Sequence, residues 1–543
     1  MPVIRLYYED MEELVGVDRD TILKRVPMIG ADIERLEEDY ADIEFFPDRP
    51  DLYSPEGVAR ALRGFFGLEL GLPEYEIEPG NIVIEVDPSV KNVRPYLCSA
   101  VVRDLEFSDP AIESLMDLQE DLHWGLGRNR KKVAIGVHDI SRVKPPFRYL
   151  AADPDFEFVP LDFQKSLSMR DILKEHPKGI SYAHILEGMD RYPLILDADD
   201  QVLSFPPIIN GNLTRVRDDS RDLFLDVTGT DYVAVQRALN IVATALAERG
   251  GRIESVLVKS AEGDKILPDL TPAKWTIEAE DANNLIGTDL SSEEIAQYLE
   301  KMRFGATAKN AQIEVLAPAY RADIMHSWDI FEDVAIGYGY ENLVPAIPKT
   351  VTVGKAHSIE VRKSELREIM VGLGYIETMP FTLTNEAVNF ENMRRSRDEK
   401  AFTRVLHPIS ELHTMVRTDI LPSLLEIFSL NQHHPLPQKI FALGDVLVGR
   451  KTRQNLAAAS IHSGADFAEI RSMIDAIFRG IGIEPEIVPS GDGAFLEGRR
   501  GDLVVNGVNV GSFGEIHPQV LRSFGLEQPA VGLELRWDEI WND

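Results

Sequence analysis

The segment RADIMHSWDIFEDVAIGYGY, residues 321–340, places four carboxylates within eleven positions: Asp323, Asp329, Glu332 and Asp333. A helix starting near Ser327 sets Asp329, Glu332 and Asp333 at i, i+3 and i+4 on one face, with Ile330, Phe331, Val334 and Tyr338 opposite. Such a face has two readings. It can be the solvated side of an amphipathic helix, its early acids complementing the positive N-terminus. Alternatively, Asp323 turns back over the same turn and the mutual repulsion of the four charges calls for a cation.

A second group lies in VLSFPPIINGN, residues 202–212, where a strand runs into paired prolines and then Asn210-Gly211, a hairpin-turn dipeptide. The stretch is either a rigid turn or a mount that offers Ser204 and Asn210 to a small ligand. RNRKK, residues 128–132, is the densest basic run, to be read as a solvated surface or a contact for RNA phosphates. His138 reads as a structural or pocket-lining histidine, and no Ser/His/Asp or Cys/His set is visible. His433 and His434 are neighbours with no third metal ligand nearby, and DADDQV, residues 197–202, has Val202 where a calcium loop needs glycine. The chain has no GxxxxGK[ST] phosphate loop, no HExxH helix and no GxSxG elbow.

The elements that must carry these groups follow from hydrophobic periodicity. Residues 1–85 read as a mixed module ending in a helix that Ser54 caps and Pro55 opens. Residues 86–265 alternate short β-rich runs with helices, an α+β domain with a mostly antiparallel sheet. Residues 266–350 form a small helical, winged-helix-like domain with a Ser291–Glu294 capping signature, and carry the acidic cluster. Residues 351–543 form an antiparallel-sheet domain with flanking helices. The fold class is therefore α+β and multidomain. A formal charge of −33, from 57 Lys and Arg against 90 Asp and Glu, excludes a sequence-blind nucleic-acid binder, so any RNA contact must be local. One cysteine, Cys98, excludes an internal disulfide and multi-thiolate zinc. No run of about eighteen apolar residues or signal-peptide pattern is visible, so the protein reads as cytosolic, with no membrane span.

FPDRPDLYSPEGVARALRGFFG, LHWGLGRNRKKVAIGVHDI, SFPPIINGN, YRADIMHSWDIFEDVAIGYGY and RTDILPSLL occur in one order along most of the chain. Together they resemble the β subunits of phenylalanyl-tRNA synthetases of the archaeal and eukaryotic type. The resemblance implies a two-α, two-β heterotetramer that charges phenylalanine tRNA, with ATP and phenylalanine bound by the α subunit. It implies that residues 86–265 edit mischarged tyrosyl-tRNA, with Ser204 and Asn210 as pocket residues and Asp226 and Thr228 as further candidates. It also implies a Mg²⁺ site at Asp323, Asp329, Glu332 and Asp333 near the α contact, some of them acting through water. The terminal domain is expected to be a degenerate class II synthetase module. VGLELRW replaces an intact GxGxGxxR, and KIFALGDV has no FRxE, so the arginine clamps for a triphosphate are missing. Editing has a physical rationale, because a pocket shaped for phenylalanine rejects an analogue with one added hydroxyl by only about a hundredfold.

Overall fold

The computed structural model describes residues 2–349, 352–398 and 400–541. The chain divides into two compact units, residues 1–347 and 348–543, while the boundary expected at 350/351 lies outside the described residues.

The first unit opens with a three-stranded antiparallel sheet in the order Val3–Tyr7, Tyr40–Phe45, Ala31–Leu36. The helix Pro55–Phe65 starts as its residues dictate: Ser54 accepts from Gly57 N at 3.2 Å, and Pro55 takes the first helical position, where its missing N–H has no partner to lose. Val58 and Leu62 are fully buried on this helix.

A ten-stranded sheet follows. Its order is Ile209–Asn210, Val202–Phe205, Tyr192–Leu196, Phe147–Ala152, Ile77–Val86, Arg252–Lys259, Tyr96–Arg103, Leu223–Gly229, Val133–Asp139, with Lys265–Leu267 paired to Arg252–Lys259. Pairing is antiparallel except where Ile77–Val86 runs parallel to both its neighbours. The boundaries expected at 85/86 and 265/266 each fall inside a paired strand, so the sheet-forming segment spans 77–267. Pro79 and Gly80 hide the first half of Ile77–Val86 from a propensity reading, yet Gly80 is required there, since a Cβ would stand 2.1 Å from Ser255 O. The helix Tyr232–Glu248 covers the sheet with Val235, Leu239 and Val242, all fully buried.

The two ends of this sheet meet. Asn210, on the first strand in spatial order, donates from Nδ2 to Val137 O on the last at 3.2 Å. The curl follows the ordinary right-handed twist of strands carried over nine neighbours.

The rest of the first unit is a small sheet in the order Ala273–Glu278, Gln312–Ala317, Gly305–Lys309, packed with the helices Ala279–Ile286, Ser292–Lys301 and Ser327–Tyr338. The capping box expected at Ser291 and Glu294 is formed, with Glu294 N donating to Ser291 Oγ at 3.2 Å and Ser291 N to Glu294 Oε2 at 2.8 Å.

The second unit is built on a seven-stranded sheet, antiparallel but for its first pair: Ile376–Glu377, Gln438–Val448, Lys451–Ile461, Ala530–Arg536, Val508–Ile516, Phe495–Val505, Glu486–Pro489. Period-two alternation divides its core. Leu456 and Ala458 join Ile474 and Phe478 on one face, while Ala457 and Ala459 join Leu421, Leu424 and Leu425 on the other.

Candidate functional site

At the seam where the two sheet edges meet lies a cavity of about 330 Å³. Ser204, Asn210 and Asp226 line it. Ser204 and Asn210 are direct cross-strand partners, and Ser204 Oγ lies 3.4 Å from Asn210 Oδ1. Thr228 is not part of it: its hydroxyl accepts from Arg94 Nε at 2.9 Å and its carbonyl from Arg94 Nη2 at 2.7 Å. Asp226 and Thr228 share a strand face, but Thr228 lies one residue pair beyond the cavity, where the buried Arg94 fills the space.

His138 does not line the cavity itself but holds Asp226, which does. Its Nε2 lies 2.6 Å from Asp226 Oδ2 and its Nδ1 2.8 Å from Thr214 Oγ1, with all three residues buried. With the Asp226 carboxylate as acceptor, the ring donates from Nε2. The chain Thr214–His138–Asp226 spans separations of 76 and 88 residues: strand pairing joins His138 to Asp226, and closure of the sheet brings in Thr214. Gly136 stands opposite Asp226 in register, and a Cβ there would lie 2.2 Å from Asp226 Oδ2 and 2.7 Å from His138 Nε2. Only glycine leaves room for the contact.

The opposite wall comes from the basic run. Arg128, Asn129 and Arg130 adopt left-handed φ values of 49°, 53° and 65°, a conformation that disfavours residues with a Cβ. This turn swings Arg130 inward, where Nη1 donates to Ile208 O at 2.9 Å and Pro207 O at 3.3 Å, and Nη2 to Glu120 at 2.7 Å. Lys132 pairs with Asp231 at 3.2 Å. The run is therefore only in part the RNA-facing surface that its composition suggests, with Arg128 and Lys131 remaining exposed. Lys178 Nζ donates to Glu120 Oε1 at 2.8 Å. Burial works against ionising Glu120, but the nearby His123 ring, 3.9 Å away, and the Arg130 charge hold its carboxyl well below the usual range. Burial lowers His123 to about 4, and its Nε2 accepts from Ile135 N at 2.8 Å, so the ring stays neutral.

The acidic cluster takes a different form from the face expected. Asp333 is buried and accepts from Arg321 Nη1 at 3.2 Å and Nη2 at 2.6 Å. The same guanidinium donates to Asp323 from Nε at 2.9 Å and Nη2 at 2.6 Å. Arg49 Nη1 lies 3.9 Å from Asp333, and Arg49 forks onto Asp51 with two bonds of 2.8 Å. Asp329 caps its helix, its Oδ2 accepting from Met325 N at 2.7 Å and His326 N at 2.6 Å. Glu332 is drawn upward in pKa by partial burial and by the charges of Asp333, Asp48 and Asp323. Ile330, Phe331 and Val334 pack into the core as their spacing demands. Four-carboxylate coordination does not fit this geometry: among the described residues no three His, Cys, Asp or Glu side chains converge as a metal-ligand group. Of the four, only Glu332 makes no hydrogen bond or ion pair among the described residues, so it is the carboxylate that would be open to a hydrated cation.

The fold and site define a class first. Residues 275–340 match the family model described as the tRNA synthetase B5 domain, and residues 343–537 match the phenylalanyl tRNA synthetase beta chain CLM domain. A protein of Methanothrix thermoacetophila named phenylalanine--tRNA ligase beta subunit is 64% identical over 538 residues, covering 98% of this chain and 99% of that one. One of the same name from Methanosarcina acetivorans is 57% identical over 99% of both chains, and one from Archaeoglobus fulgidus is 52% identical over 98% of both. An N-terminal fragment of the phenylalanyl-tRNA synthetase beta subunit from Pyrococcus horikoshii is similar in structure, with a TM-score of 0.61 and 37% identity, covering 62% of this chain and 99% of the fragment. The chain belongs to the phenylalanine–tRNA ligase beta subunit family. No helix among the described residues is long and apolar enough to cross a membrane.

Proposed function

We propose that this chain joins an α subunit, which binds ATP and phenylalanine, in a two-α, two-β ligase that charges phenylalanine tRNA in the cytoplasm, and that its seam cavity hydrolyses mischarged tyrosyl-tRNA. The observation that carries the hydrolytic reading is the convergence of Ser204, Asn210 and the His138-held Asp226 on one cavity. Its volume, about 330 Å³, falls at the small end of ligand pockets, suited to one aminoacyl group. Asp226 orients a water whose oxygen adds to the ester carbonyl. The ester C–O bond then breaks, and the ribose oxygen leaves with a proton, releasing tyrosine. Ser204 and Asn210 supply the polar contacts that a phenolic hydroxyl satisfies and a phenyl ring leaves unpaired.

Partnership with α is supported by large apolar side chains left in solvent on the second unit: Met379, Phe381, Leu406 and Ile409 are each more than four-fifths exposed. Patches of this kind mark interaction surfaces. The Mg²⁺ reading is retained as a hydrated ion that Glu332 would hold directly, with Asp323, Asp329 and Asp333, whose oxygens already accept hydrogen bonds, reached only through its waters. Its role is structural. Titrating the assembled complex with Mg²⁺ tests it: Glu332→Gln, which leaves the Arg321 network intact, should raise the Mg²⁺ needed for α–β association, and an unchanged requirement removes the site.

The hydrolytic reading is tested with the assembled complex and tyrosyl- or phenylalanyl-tRNA. Ser204→Ala and Asn210→Ala should each slow tyrosine release at least about tenfold while phenylalanine charging persists. Release at the wild-type rate by both variants would overturn the pocket assignment.

A further inference from the structure

Beside the seam cavity lies a second cavity of about 300 Å³, walled by Arg142, Arg215, Arg217 and Arg221 together with Asp139, Asp219 and Asp222. In a chain whose formal charge is −33, four arginines around one hollow are a marked local reversal. Two of its carboxylates are already engaged. Asp139 accepts from Ser141 N at 2.8 Å and from the Ser220 hydroxyl, and Asp222 accepts from Arg103 Nη1 at 3.0 Å and Asp104 N at 3.3 Å. Arg215 pairs with Asp162 at 2.8 Å and Arg221 with Glu106 at 3.1 Å. Arg142 and Arg217 make no side-chain hydrogen bond or ion pair among the described residues, and both are exposed. Their forked guanidinium groups match the oxygen pairs of a phosphodiester.

Arg215 lines both cavities, so a ligand whose end occupies the seam cavity can run on past this residue into the second. We propose that the arginine cavity binds the phosphodiesters on the 5′ side of the 3′-terminal nucleotide of an aminoacylated RNA while the ester sits in the seam cavity. The proposal rests on the seam cavity being a deacylation site. It also explains how so acidic a protein holds a polyanion there: the attraction comes from one wall, and the rest of the surface repels the RNA.

The test uses the assembled α–β complex and tyrosyl-tRNA. Each phosphate contact on a single strand contributes about 0.7 to the slope of log affinity against log salt. Arg142→Gln with Arg217→Gln should therefore raise KM about tenfold, with kcat within about twofold, and flatten the salt dependence of kcat/KM by about 1.4 between roughly 50 and 200 mM KCl. The Lys pair at the same positions keeps the charge and should keep most of the slope. A Gln pair with wild-type KM and wild-type slope would overturn the proposal. Binding of an uncharged, fluorescein-labelled acceptor-stem microhelix with a single-stranded 3′ end separates the two readings. If the wild-type complex releases no tyrosine, the hydrolytic reading fails, and a loss of microhelix affinity in the Gln pair alone still supports the phosphate site. Equal microhelix affinity in wild type and Gln pair refutes it.

Discussion

At Gly136 the missing side chain is what lets Asp226 and His138 meet, since a Cβ would intrude to 2.2 Å from the carboxylate. Gly136→Ala must push Asp226 off its 2.6 Å contact, and a misplacement on that scale lowers a rate about a hundredfold. Stopped assays of tyrosine release should show that loss, and a wild-type rate would mean that the Asp226–His138 contact is dispensable. Asp121, on the helix that carries Glu120 and His123, gives a pH prediction. Burial, then the charges of Asp117 and Glu120, push its carboxyl up to about 7. The folded chain keeps this proton in a range where the unfolded chain has released it, so stability falls as pH rises from about 4 to about 7. Asp121→Asn should gain on the order of 1 kcal/mol at about pH 8 and little at about pH 4, after allowing for its partial exposure. Urea unfolding at the two pH values measures the difference, and an equal effect at both would contradict the assignment. Ser204 and Asn210 stood out as residues and Asp226 only through the family resemblance, and the three line one cavity. Thr214 and Gly136 carried no signal, and His138 read only as a structural or pocket-lining histidine, because their contacts exist only after distant strands are brought side by side. Thr228 shows the opposite error: alternation tells which face a side chain takes, not how far along the strand the cavity extends.

The helix Ser327–Tyr338 shows what an element adds to its residues. Spacing put Asp333 on a solvated face beside Asp329 and Glu332, yet Asp333 is 2% exposed and held by Arg321. The face rule fails there because Arg321, itself stacked over Phe304 at 4.9 Å, enters from the preceding loop as an internal counter-charge. Removing that guanidinium leaves Asp333 and Asp323 without their main cation, and breaking a buried pair costs about 3–5 kcal/mol. Arg321→Met should therefore lower the opening free energy of this helix by about that much in hydrogen exchange, with much of it recovered when Asp333→Leu is added. Unchanged protection in Arg321→Met would show the network to be unimportant. Local signals were read correctly in other elements: the Ser54 cap, the Ser291–Glu294 box and the apolar stripe Ile330, Phe331, Val334 depend on neighbours within a few residues. The start of Ile77–Val86 was not legible, because Pro79 and Gly80 contradict strand propensity while the backbone of Ser255 leaves room only for glycine at position 80.

At the scale of the whole molecule, two units with separate cores divide the work proposed for the chain. The first holds a closed sheet with a polar cavity at its seam; the second presents exposed apolar side chains suited to a partner. The α+β class followed from hydrophobic periodicity, whereas the closing of the sheet could not, since no local signal records that Ile209–Asn210 will meet Val133–Asp139. The seam is proposed as the place where the tyrosyl ester is broken, and single-turnover release of tyrosine from tyrosyl-tRNA by the assembled complex carrying Asp226→Asn measures this. Release should fall about a hundredfold or more, with phenylalanine charging by the same preparation retained. Tyrosine release by Asp226→Asn at the wild-type rate would contradict it.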